Sequence, residues 1–83
     1  ATSLGSGANA AHTQSVALGM STTTTAASQV AIGTRHFELV EIAAPVAGAT
    51  NSARIYVEDN GAGKTRLMVQ FATGAPVQIA IEP

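Results

Sequence analysis

The segment SVALG at Ser15–Gly19 returns as QVAIG at Gln29–Gly33, fourteen residues later, and a looser copy, ATSLG, occupies Ala1–Gly5, fourteen residues earlier. Gly5, Gly19 and Gly33 keep the beat, each preceded by Leu4, Leu18 or Ile32, with Thr2, Val16 and Val30 two places further back. Fourteen residues is too short a period for a repeat that contains a helix. It suits a winding of short strands separated by turns, stacked on the next winding at about 4.8 Å. Val16–Leu18 and Val30–Ile32 read as the strands, with side chains alternating between faces. The glycine after each permits a turn with positive φ. The intervening Ser6–Gln14 and Met20–Ser28 leave room for a second short strand and a further turn, and the β-branched run Thr22–Thr25 favours extended backbone.

Size and composition limit what such a stack does alone. The chain has 83 residues and no cysteine, so no disulfide supports a small core. Its aromatic residues are Phe37, Tyr56 and Phe71, none of them in the repeat region, which is built from Ala, Ser, Thr and Gly. Ordering backbone costs about 1–2 kcal/mol per residue, which one such winding does not offset. The formal net charge of -1, with Arg35, Arg54, Lys64 and Arg66 dispersed, argues against nucleic acid as a partner. No apolar stretch approaches the ~20 residues of a membrane helix, so no membrane insertion is expected, and the N-terminus lacks a signal-peptide pattern.

Three regions follow: residues 1–34 as fourteen-residue repeats, 35–52 as a connector, and 53–83 as a C-terminal module. Arg35–Ala44 is a candidate strand or connector ended by Pro45. Residues 53–82 alternate with period two over three segments, which predicts a three-stranded antiparallel meander. Ile55, Val57, Leu67, Val69, Phe71, Val77, Ile79 and Ile81 make its apolar face, and Asp59–Lys64 and Ala72–Pro76 hold the turn residues. Pairing Val57 with Leu67 and Ile55 with Val69 sets Glu58 opposite Arg66. Pairing Val69 with Ile79 sets Glu82 on the other side of Arg66, so that the arginine lies between two carboxylates. The chain offers only Phe37–Ile42 to cover the apolar face, and copies of the chain are the better cover, which points to an oligomer.

Chemistry-bearing motifs are few. GAGKT at Gly61–Thr65 lacks the glycine five residues before Gly63, where Glu58 stands, and a strand is expected after it where a phosphate loop needs a helix. A glycine-rich hairpin loop is the favoured reading. His12 and His36 are too far apart in sequence to suggest a ligand pair, and Ser15 and Ser28 sit in repeat beats without a nucleophile elbow. No enzyme activity, metal site or cofactor is expected. Arg54, Tyr56, Glu58, Asp59, Lys64 and Arg66 form the charged-plus-aromatic surface that a receptor would meet; the alternative is an ordinary solvated sheet face.

The beats SVALG and QVAIG resemble the head repeat of trimeric autotransporter adhesins, the YadA-like left-handed parallel β-roll, over roughly the first 34 residues. The resemblance implies that Val16, Leu18, Val30 and Ile32 pack within and between three rolls. The first beat is degenerate, and Met20–Ser28 lacks the usual glycine- and asparagine-rich spacer. Arg54–Pro83 resembles a C-terminal module of phage tail-fibre proteins, through R-I-Y, D-N-G-x-G-K-T, F-x-T-G and the final I-A-x-E-P, and this makes Pro83 the expected C-terminus. Together the resemblances imply an all-β homotrimer, with short β-roll repeats followed by a β-meander cap. They point to a structural component of a virion fibre, of a phage tail or head appendage and so extracellular. Its partners would be itself, upstream virion proteins and a host cell-surface glycan or protein. The alternative is a fragment of a cellular trimeric surface adhesin, which is expected to continue into a coiled-coil stalk and a membrane anchor.

Overall fold

The computed structural model describes all 83 residues. It is all-β, without a helix, and divides into two compact units, Ala1–Phe37 and Glu38–Pro83.

The first unit holds three short strands, β1 (Thr2–Leu4), β2 (Val16–Leu18) and β3 (Val30–Ala31), in one parallel sheet of order β1-β2-β3. Thr2 pairs with Val16, and Val16 with Val30, so each strand lies beside the copy of itself fourteen residues on. A bridge between Asn9 and Thr23 repeats that offset on the segment between beats. Gly5, Gly19 and Gly33 turn the chain with φ of 126°, 100° and 71°. A Cβ on Gly5 would lie 2.7 Å from the carbonyl carbon of Gly19, so glycine also lets successive windings approach here. Two further left-handed corners recur with the same spacing, Gly7 with Ser21 and Gln14 with Ser28.

Strand alternation in β2 turns Ala17 fully inward and leaves Val16 and Leu18 half-exposed. The interior is small and polar, with Ser15, Thr22 and Thr24 buried beside Ala17. Its hydroxyls are paired. Ser15 Oγ donates to His12 O at 2.6 Å, Thr22 Oγ1 donates to Leu18 O at 2.9 Å, and Thr24 Oγ1 accepts the Ala11 amide at 3.1 Å.

The second unit is an antiparallel sheet of β4 (Ala53–Asp59), β5 (Thr65–Phe71) and β6 (Val77–Ile81), in sequence order. The β4–β5 register is the one expected: Ile55 opposes Val69, Val57 opposes Leu67 and Glu58 opposes Arg66. The β5–β6 register differs. Arg66 faces Ile81, Leu67 faces Ala80, a bulge follows, and Met68 faces Gln78. Glu82 is therefore not beside Arg66. Its backbone N–H donates to Thr65 O at 2.8 Å while its carboxylate accepts the Thr65 amide at 2.8 Å. Lys64 Nζ donates to Pro83 O at 2.8 Å, and these bonds hold the end of the chain one residue back. Because directly opposed residues share a face, the shift moves Ile81 to the side of Arg66 and sets Ala80 against Leu67.

No strand forms over Arg35–Ala44. The 38–52 segment instead belongs with the sheet: the Ile42 amide donates to Val57 O at 2.9 Å, and Arg54 Nη1 donates to Val46 O at 3.0 Å.

Candidate assembly and receptor surfaces

The β4–β5 register sorts the meander into two faces. Ile55, Val57, Leu67, Val69 and Phe71 share one; Arg54, Tyr56, Glu58, Arg66, Met68 and Gln70 share the other. The second face, expected to be the solvated one, holds most of the buried side chains. Tyr56 is only 3% exposed, and Met68 and Gln70 are buried with it. On the first face Val57 is buried, whereas Ile55 is 64% and Phe71 49% exposed. Val77, Ile79 and Ile81 on β6 are exposed as well.

The six candidate receptor residues therefore do not form one open surface. Tyr56 is removed from it by burial. Its hydroxyl donates to Glu58 Oε1 at 2.9 Å, and Arg66 Nη2 donates to Glu58 Oε2 at 3.1 Å. Both charged groups of that pair are partly covered. The Arg66 guanidinium, with the Tyr56 hydroxyl second, holds the Glu58 carboxyl below its usual range. Burial first, and the bond to Glu58 second, push the Tyr56 phenol above its usual value. Arg66 Nε is buried without a partner. Arg54, Asp59 and Lys64 are exposed, but each is engaged within the chain: Arg54 on Val46 O, Lys64 on Pro83 O, and Asp59 Oδ2 on the Gly61 amide at 2.7 Å.

The Asp59–Lys64 loop is filled by its own side chains. Asn60 Oδ1 accepts the amides of Ala62 at 2.8 Å and Lys64 at 3.2 Å, while Asp59 takes that of Gly61. Gly61 and Gly63 adopt φ of 89° and 82°, and β5 follows directly. The amides of Gly61, Ala62 and Lys64 are thus occupied, and the helix whose N-terminus would face a phosphate is replaced by a strand. His12 Nδ1 lies 3.0 Å from Thr24 Oγ1, and no group of three or more His, Asp or Glu side chains is arranged to hold a metal.

In the first unit Val16, Leu18 and Ile32 are half-exposed and Val30 is 66% exposed. They lie outside the winding, while Ser15, Ala17, Thr22 and Thr24 fill it. The sequence carried a trace of this in the small residues Ser3, Ala17 and Ala31 at the centre of each beat. A shallow depression of about 440 Å³ opens between Thr50–Ala53 and Phe71–Thr73. No family model, curated protein or solved structure matches the chain.

Proposed function

We propose that this chain is a structural part of a homotrimeric virion fibre, its first unit a short left-handed β-roll and its second a trimerising tip. The observation that carries the reading is the pairing of two features in one small chain. A parallel stack with a fourteen-residue offset holds only small side chains inside. A sheet then leaves Ile55, Phe71, Val77, Ile79 and Ile81 exposed, and Leu39, Val40, Ile42 and Val46 of the segment that joins it are exposed as well. Apolar burial yields about 25 cal/mol per Å², and copies of the chain are the nearest source of such a cover. Val16, Leu18, Val30 and Ile32, on the outside of the windings, would meet their counterparts in the same assembly. The work is mechanical and adhesive: three chains present three weak surfaces at once, and avidity does the rest.

Light scattering of the full chain tests the assembly. The expected mass is three times the 8.3 kDa of one chain, and a monomer at micromolar concentration refutes it. Attachment is tested separately, by binding of the assembled protein to bacterial surfaces with and without their surface glycans. Binding that depends on neither glycan nor surface protein removes the receptor half of the reading and leaves the assembly intact.

A further inference from the structure

Between the first two windings, the carbonyl of one residue receives the amide of the residue fifteen places on. Leu4 O is bonded by Gly19 N at 2.7 Å, Ser6 O by Ser21 N at 2.8 Å, Asn9 O by Thr24 N at 3.1 Å and Thr13 O by Ser28 N at 3.0 Å. The same rule assigns Leu18 O to the Gly33 amide and Met20 O to the Arg35 amide. Side chains take both places instead. Thr22 Oγ1 donates to Leu18 O at 2.9 Å, and Arg35 Nη2 donates to Met20 O at 2.9 Å. Arg35 Nη1 donates to Ile32 O at 3.0 Å and to Thr22 Oγ1 at 3.0 Å. One guanidinium thus satisfies acceptors on two successive windings.

The glycines of the beat make its seat. A Cβ on Gly19 would lie 2.6 Å from Arg35 Cζ, and one on Gly33 would lie 2.7 Å from Arg35 Nη1. The repeat aligns Arg35 with Gly7 and Ser21, which adopt φ of 73° and 58°. Arg35, the first bulky residue at this place in the repeat, does not take the left-handed conformation of its two equivalents, and the ladder stops there.

We propose that Arg35 terminates the parallel stack: its side chain replaces the backbone of a further winding and closes the β3 end to strand addition. An open strand edge is a template for pairing with other chains, and a planar, multi-donor cation suits carbonyls that project from a stack end. The proposal stands whether or not the chain assembles with copies of itself.

Amide hydrogen exchange on the full chain tests it. The Val16 amide donates to Gln29 O across the last two windings, and the Thr24 amide donates to Asn9 O across the first two. In Arg35→Ala the Val16 amide is expected to exchange about ten-fold faster while that of Thr24 keeps its rate. Arg35→Lys, with a single donor group, is expected to fall between. Unchanged exchange at Val16 in Arg35→Ala overturns the proposal. A second pair of variants keeps Arg35. A copy of Ser15–Ser28 inserted between Ser28 and Gln29 moves Arg35 to the end of a longer stack, and the copy is expected to be protected. The same copy inserted between Arg35 and His36 is expected to stay unprotected, and its protection would equally overturn the proposal.

Discussion

Replacing Thr24 with valine tests the reasoning about the polar interior of the first unit. Thr24 is among the largest fully buried side chains of the chain. Its hydroxyl accepts the Ala11 amide at 3.1 Å and lies 3.0 Å from His12 Nδ1 and 3.4 Å from Ser15 Oγ. Valine preserves the shape and opens no cavity, so the loss is confined to hydrogen bonding. The Ala11 amide and the His12 ring lose a part-buried partner, at a cost of about 1–3 kcal/mol, while Ser15 keeps another. Ser15 already donates to His12 O. A loss of about 2 kcal/mol is expected, a factor of about thirty in the unfolding equilibrium of this unit. Thr24→Ser keeps the hydroxyl and removes one buried methyl, worth about 1 kcal/mol. Urea denaturation at one fixed chain concentration measures both variants, since assembly would make the midpoint concentration-dependent. Exchange of the Val16 amide assigns the loss to the first unit, because a global probe averages two units that need not unfold together. A Thr24→Val protein as stable as the parent, or more stable than Thr24→Ser, refutes the view that hydroxyl pairing holds the windings together.

Three further outcomes follow from the second unit. Glu58 has a folded pKa held below the ordinary glutamate value of 4.5, so its contribution is complete above that value and is lost as pH falls through the lower folded one. Tyr56 has a folded pKa raised above 10.0, so its contribution is present below that value and is lost as pH rises through the higher folded one. A pH series of denaturation midpoints should show both losses, and Glu58→Gln should flatten the acid one; an unchanged acid limb in that variant contradicts the ion-pair assignment. Valine at Gly61 and Gly63, both at positive φ, should cost about 1–2 kcal/mol each and lower the thermal midpoint, and an unchanged midpoint would show that the loop does not need those backbone angles. Phe71→Asp should shift the light-scattering mass toward one chain, and an intact trimer in that variant would exclude this sheet face from the assembly.

Periodicity was readable because it is a property of residue order alone. The fourteen-residue beat announced parallel strands in register, and the period-two segments announced the meander and its β4–β5 pairing. Both are local patterns in which the apolar residue and the turn residue sit in sequence where they sit in space. What the pattern left open was decided by competition among groups distant in sequence. Glu82 reads as a partner for Arg66, yet its carboxylate is taken by the Thr65 amide, and the resulting bulge changes the face on which Ile81 stands. Tyr56 reads as a surface aromatic, yet its side of the sheet is the more covered one. Inside the windings a fourteen-residue circuit admits only Ser, Ala and Thr, so the valines and leucines that carry the motif lie outside it. Two of the three left-handed corners hold Ser21, Gln14 and Ser28, which announce nothing by residue type; stacking on the neighbouring winding sets their backbone. Arg35 looks like one of four scattered cations until the stack supplies the carbonyls around it. Order along the chain determined which strands repeat; tertiary contacts determined which side chains are inside, where the register slips and where the stack ends, because those depend on which donors and acceptors meet once the chain is wound.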